Sequence, residues 1–294
     1  MMTNLSKNDL ISQVNQVLDD LIPQSKLGTN LEESMQYSIN AGGKRVRPLL
    51  LLLTLDMLNK DYQLGLATAA ALEMIHTYSL IHDDLPAMDD DDYRRGKLTN
   101  HKVFGEWKAV LAGDALLTKA FDVISNDTQL DNDIKVKLIQ RLAFASGHLG
   151  MVGGQALDMQ SETQAVDIST LEQIHRAKTG ALLTFAVMAA TDIAQVNDYV
   201  AEHLNLFSQH LGLMFQIKDD LLDVYGEESK LGKKIGSDID NHKSTYVSLL
   251  GKDGAEEKLA MHKNAALNEL EQLKEDYDIS QLKDIVELFY TRDH

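Results

Sequence analysis

Apolar positions recur at helical spacing along most of this 294-residue chain. Residues 5–20 and 31–40 repeat apolar side chains every three to four positions and predict amphipathic helices. Leu49 to Asn59 and Leu64 to His82 are apolar around most of their circumference and predict buried helices. The same periodicity predicts helices over 107–126, 131–149, 151–160, 169–191, 196–225, 254–275 and 280–291. Alternating Val/Ile/Thr runs bounded by turn residues hardly occur, so almost no strand is expected. The prolines are Pro23, Pro48 and Pro86, and the proline-free stretch beyond them permits long helices. Pro86 should end the helix before it and throw Asp89 to Asp92 into a loop. With no fixed-period repeat and no low-complexity linker, the expectation is one large all-α domain over residues 1–294, roughly ten or more helices around a central cavity.

Composition adds exclusions. Apolar residues are 44% and charged residues 25% of the chain, ordinary globular values. The chain has no cysteine, which excludes disulfides and thiolate sites. No uninterrupted apolar run of membrane length appears, so no membrane span is expected. The opening MMTNLSKNDL lacks a signal-peptide core, and the expected compartment is the cytoplasm. A net charge of −17 argues against a nucleic-acid partner. It does not exclude an anionic substrate, because cations and a few fixed Lys/Arg can invert the sign locally.

Two aspartate clusters change the picture most. The first, IHDDLPAMDDDDYRRG, carries Asp83, Asp84 and Asp89 to Asp92. A helix end plus a short loop can bring Asp83 and Asp89 around one ion; a solvated acidic loop is the alternative. A calcium loop beginning at Asp91 fits poorly, because Tyr93, Arg95 and Lys102 would fall on ligand positions. The second, QIKDDLLD, sets Gln216, Asp219, Asp220 and Asp223 at i, i+3, i+4 and i+7, one helix face. Like charges at this spacing repel, so a helix that tolerates them implies a cation there. Two such sets facing one another would cage hard cations, and Mg²⁺ takes carboxylates together with substrate phosphates.

Basic residues flank both clusters. Arg94 and Arg95 follow the first, and a guanidinium fork matches phosphate oxygens. The glycine-led turn AGGKRVRP offers Lys44, Arg45 and Arg47 after Gly42 and Gly43. His76 shares a helix face with Glu73 and Asp83, and Lys178-Thr179-Gly180 interrupts an apolar helix, as a phosphate contact or as a kink. Lys233, Lys234 and Lys243 fall in a glycine-containing loop after the second cluster.

Together these segments resemble the trans-prenyltransferase (isoprenyl diphosphate synthase) family. GGKRVRP, LIHDDLPAMDDDDYRRG, AGDALLTKAF, GMVGGQALDM, HRAKTGALL, QIKDDLLDVYG, LGKKIGSD and HKSTY stand in family order from residue 42 to 246. The resemblance implies the isoprenoid synthase fold, a homodimer, three Mg²⁺ ions, and condensation of isopentenyl diphosphate with dimethylallyl and then geranyl diphosphate. It implies metal ligation by Asp83, Asp89 and Asp219, with Asp84, Asp220 and Asp223 in support. Arg94, Lys178, Thr179, Gln216, Lys233 and Lys243 would hold the allylic diphosphate, Lys178 also serving the chemistry. Gly43, Lys44, Arg47, His76 and Arg95 would hold isopentenyl diphosphate. Tyr78, with Ser79 beside it, would set chain length: it lies five residues before Asp83, about 7.5 Å along a helix, where an aromatic floor goes with a fifteen-carbon product. A longer-chain synthase and a non-catalytic partner subunit are the alternatives. A terpene cyclase fits poorly, because GGKRVRP and the second aspartate set are both present. The ending LFYTRDH departs from the basic tail of bacterial members and leaves open whether Arg292 or His294 joins the isopentenyl diphosphate site.

Overall fold

The structure is a computed structural model that describes residues 6–24, 27–162, 165–226 and 244–293. Among these, the secondary structure is helical apart from one two-residue hairpin, and the expected all-α class is observed. The chain sorts into two compact units, residues 1–52 with 61–139, and residues 53–60 with 140–294.

The first unit contains α1 (Lys7–Asp20), α2 (Leu31–Ile39), the start of α3 (Val46–Met57), α4 (Leu66–Asp83), α5 (Asn100–Phe104), α6 (Glu106–Ser125) and the start of α7 (Asn132–Ser146). α1 begins at a reciprocal capping box between Ser6 and Asp9. It buries Leu10, Val14 and Leu18, spaced four apart on one face. α4 has its most extensive contact with α6. Its residues from Ala69 to Ile75 are all buried, so its sequence is apolar all round rather than striped. α2 and α5 are tied by a buried amide: Asn100 donates to the Ser34 carbonyl and to Ser38 Oγ, and accepts from Ser34 Oγ, each at 2.8 Å.

The second unit holds the rest of α3 and α7, then α8 (Met151–Ser161), α9 (Ile168–His175), a π-helical turn (Arg176–Gly180), α10 (Ala181–Ala194), α11 (Asp198–Tyr225), α12 (Tyr246–Glu271) and α13 (Ser280–Thr291). α11 and α12 form its most extensive pairing. α12 starts several residues before the sequence predicts, because Thr245 and Ser248 form a second capping box. It also contains a kink at Gly251, whose φ of +72° is available to glycine at little cost.

Two helical stretches depart from the expectation about membrane spans. Tyr62–Asp83 and Ile168–Ala194 are long and apolar enough to cross a bilayer. In each, 67% of the best window is buried within the protein, as in the core helices of a soluble domain. In the sequence Glu73, and the group Arg176 and Lys178, interrupt the apolar runs; in the fold Glu73 is buried against Arg45.

α11 and its neighbours bury two imidazoles. His262 on α12 lies with its Nδ1 2.9 Å from that of His210 on α11, and burial, then His210, pull its pKa down to about 4. His175 at the end of α9 stacks on Tyr246, ring centroids 5.7 Å apart, and burial pulls its pKa to about 3. In the unfolded chain both titrate near 6.5. Between these values the unfolded chain binds protons that the folded chain excludes, so stability falls as the pH drops below about 6.5. Urea titrations at pH 7 and pH 5 should show a loss of about 2 kcal/mol for each of the two imidazoles, and His262→Phe should remove its share of that loss.

Candidate active-site residues

In the first unit, α4 ends at Asp83, with Asp84 as its C-cap. The chain then folds back. The Asp89 amide donates to the Asp83 carbonyl at 2.9 Å and the Asp90 amide to the Leu85 carbonyl at 3.2 Å, so Asp83 and Asp89 are backbone neighbours, as their spacing predicts. The two aspartates of DD then part company. Asp84 is buried and Asp83 half-buried, while Asp89 to Asp92 are exposed. Asp84 accepts from Arg94 Nε at 2.7 Å and Nη2 at 2.6 Å. Burial pushes the Asp84 pKa up, and the Arg94 bonds oppose that rise. Arg94 Nη2 also lies 3.7 Å from Asp91.

Arg94 and Arg95, adjacent in sequence, are sent in different directions by an element the sequence did not reveal. Tyr93–Arg94 pairs antiparallel with Lys97–Leu98, and the turn at Arg95-Gly96 has φ of +54° and +74°. Positive φ at both central residues is the twist-matched hairpin turn, for which Asn-Gly is the usual signal. Arg-Gly is a weak form of it, which is why it was missed. Arg95 thereby reaches back to donate to the Gly42 carbonyl, packed against Gly43.

The glycine-led turn is shorter than expected. α3 starts at Val46, so Arg47 and Pro48 lie in its first turn, while Gly42 and Gly43 adopt φ of +97° and +126°. Arg47 Nη1 comes within 3.4 Å of His76 Nε2. Burial first, then Arg47, Arg95, Arg94 and Arg45, holds the His76 pKa well below its ordinary value, so this imidazole is neutral. Lys44 is exposed in the turn. Arg45, grouped with it in the sequence, turns into the protein interior instead. It is buried, donates to Glu73 at 2.7 Å, to Asn15 and to the Ile39 carbonyl, and anchors the turn to α4, α1 and α2. Tyr78 is buried one turn and a half below Asp83, its ring edge-on to His82 at 5.7 Å, and burial pushes its hydroxyl up to about 12. Ser79 donates to the His76 carbonyl at 2.9 Å.

In the second unit, the interruption at Lys178-Thr179-Gly180 is the π-helical turn itself. Lys178 Nζ pairs with Asp158 of α8 at 2.6 Å. Thr179 donates to Gln216 Oε1 at 3.1 Å, and the Gln216 amide donates to Asp220 Oδ1 at 3.2 Å. Asp220 Oδ2 accepts the backbone N–H of Tyr246, the first residue of α12, at 2.8 Å. A buried carboxylate on a helix N-terminus meets both the orphan N–H groups and the helix dipole. Asp223 is likewise buried, and only Asp219 of the three is substantially accessible. The helix therefore tolerates its three carboxylates partly because they have protein partners, which corrects the inference that a cation alone makes them tolerable. Arg292, after α13, donates to Asp219 at 2.5 Å and to the Phe215 carbonyl, with its guanidinium 4.1 Å above the Phe215 ring. The tail thus engages the second aspartate cluster, a partnership that the ending LFYTRDH gave no spacing rule to find. Asp158 was missed for the same reason: its partner lies 20 residues away. Lys233, Lys234, Lys243 and His294 fall outside the described residues.

Among the described residues no group of three acidic or histidine side chains is gathered as a ready metal cluster. Asp83 and Asp89 in the first unit, and Asp219 in the second, offer hard carboxylate oxygens, the donor type that suits Mg²⁺.

Asp220→Ala should cost roughly 2–3 kcal/mol in urea unfolding, since it orphans a buried N–H at the start of α12. Asp219→Ala should cost less than about 1 kcal/mol.

The sequence profile of the polyprenyl synthetase family matches residues 29–288. A farnesyl diphosphate synthase from Geobacillus stearothermophilus is 50% identical over 289 residues, 98% of this chain and 97% of that one. One from Micrococcus luteus is 57% identical over 231 residues, 79% of each chain. Among solved structures, a geranyltransferase from Legionella pneumophila is similar with a TM-score of 0.87 and 32% identity, covering 97% of this chain and 96% of its own.

Proposed function

The chain belongs to the polyprenyl synthetase family, and from that premise we propose that it is a cytoplasmic, Mg²⁺-dependent prenyltransferase that condenses isopentenyl diphosphate head to tail with dimethylallyl and then geranyl diphosphate, ending at (E,E)-farnesyl diphosphate. Its all-α fold is the isoprenoid synthase fold of that family. The observation that carries the proposal is that each unit holds accessible aspartates together with cations fixed by a carboxylate, Arg94 on Asp84 in the first and Lys178 on Asp158 in the second. The names of the relatives support the fifteen-carbon product. The match of the family profile across both units supports a single polyprenyl synthase domain over residues 1–294.

In this reading Gly43, Lys44, Arg47, His76 and Arg95 bind isopentenyl diphosphate. Neutral His76 offers an N–H without adding charge, while the guanidinium groups meet the phosphate charge. Arg94, Lys178, Thr179 and Gln216, with Lys233 and Lys243, bind the allylic diphosphate. Asp84 orients Arg94, Asp158 orients Lys178, and Gln216 accepts the Thr179 proton so that its hydroxyl oxygen keeps a fixed place. Asp83 and Asp89 of the first unit and Asp219 of the second would hold Mg²⁺, three ions in this proposal, with Asp84, Asp220 and Asp223 in support, and the ions would supply positive charge to match the charge growing on the departing diphosphate. The allylic C–O bond breaks with its electron pair going to the diphosphate. The isopentenyl double bond then forms the new C–C bond, and a proton leaves to the released pyrophosphate. The buried Tyr78 ring closes the path of the growing chain below Asp83. Homodimerisation is supported by large apolar side chains left exposed, Trp107, Val110 and Leu111 on α6 and Phe144 on α7.

Incubation with Mg²⁺, isopentenyl diphosphate and each allylic starter should give farnesol alone after dephosphorylation, and no elongation of farnesyl diphosphate. Geranylgeraniol or longer products would overturn the chain-length assignment, and no product from any starter would favour a partner subunit. Tyr78→Ala should shift the product to twenty carbons or more, at a stability cost of roughly 3–5 kcal/mol. Asp219→Ala should lower kcat by roughly 10²-fold or more, with pyrophosphate release as the readout.

A further inference from the structure

The π-helical turn Arg176–Gly180 is the one place between Ile168 and Ala194 where the helical hydrogen-bond ladder widens. A π turn gives poorer internal bonding than an α turn and persists where its surroundings support it. Here the surroundings press on the backbone itself. A Cβ added at Gly154 of α8 would overlap Lys178 N and sit 2.6 Å from Lys178 Cα and 2.8 Å from Ala177 C. A Cβ added at Gly212 of α11 would sit 2.9 Å from Gly180 Cα. Both glycines are buried inside helices, where glycine costs about 1 kcal/mol against alanine.

The second observation is a repeated spacing. Four residues after Gly154, on the same face, Asp158 takes the Lys178 ammonium at 2.6 Å. Four residues after Gly212, again on the same face, Gln216 takes the Thr179 hydroxyl at 3.1 Å. Each helix thus lays bare backbone against the π turn and, one turn on, fixes one of its two polar side chains.

We propose that Gly154 and Gly212 are positioning residues: with Asp158 and Gln216 they clamp the π turn from two helices, so that Lys178 and Thr179 hold fixed places for the allylic diphosphate. The clamp rests on the assignment of Lys178 and Thr179 to that diphosphate. Gly180 marks its direction, because a Cβ there would meet only the His175 carbonyl, at 3.4 Å.

The test is steady-state kinetics of Gly154→Ala and Gly212→Ala beside the unaltered enzyme and Leu204→Ala, a fully buried α11 position. The glycine variants should raise KM for geranyl diphosphate at least about tenfold and leave KM for isopentenyl diphosphate within about twofold. Leu204→Ala should lower Tm without moving either KM. An unmoved KM for geranyl diphosphate in both glycine variants, or equal shifts in Leu204→Ala, would overturn the clamp. Hydrogen exchange of the unaltered protein covers the case in which the alanine variants do not fold. Amides 176–180 should be protected before inorganic pyrophosphate and Mg²⁺ are added and change little afterwards. Protection that appears only with pyrophosphate means the ligand orders the turn and the glycines do not. Absence of any prenyl product from the unaltered enzyme would overturn the underlying assignment; an active enzyme with unmoved glycine variants overturns the clamp alone.

Discussion

A carboxylate leaves water only when another group meets its charge. That constraint sorts the acidic residues of this strongly negative chain. Glu73 is inside because Arg45 is beside it, Asp84 because Arg94 forks onto it, and Asp220 because the start of α12 offers an N–H. Asp89 to Asp92 stay exposed in their loop, and Asp219, although Arg292 reaches it, stays partly accessible on its helix. The sorting leaves some carboxylates accessible and the buried acids to shape the protein around them.

The same pairing fixes the cations. A lysine or arginine loses much rotamer freedom when it binds a phosphate, and a carboxylate that already restrains it reduces that loss. Arg94 on Asp84 and Lys178 on Asp158 are restrained in this way, and Arg292 on Asp219 extends the pattern to the chain's tail. His76 is the complementary case. Crowded by guanidinium groups and desolvated, it stays neutral and adds a hydrogen bond where further positive charge would repel its neighbours.

Backbone geometry does the rest. The hairpin turn at Arg95-Gly96 separates two adjacent arginines, and the π turn brings Lys178 and Thr179 to two different partner helices. Neither is an energetic optimum in isolation, and both occur where polar side chains are aimed rather than merely solvated.

Helices were legible in the sequence because their apolar periodicity is a local property, and so were both aspartate clusters, whose spacing is local too. Capping extended α12 towards Tyr246, and the short α5 and the hairpin escaped notice, since elements of two to five residues carry too few positions for a period to register. The order of the motifs was enough to reach the family. What the sequence could not decide was which member of each cluster points inward. Asp83 and Asp84, or Asp219 and Asp220, are chemically the same residue one position apart. Only their tertiary neighbours, Arg94 ten residues on in one case and Tyr246 twenty-six residues on in the other, make one a structural anion and leave its twin accessible. Burial and pairing are long-range properties, set by which helix packs on which, and no spacing rule along the chain contains them.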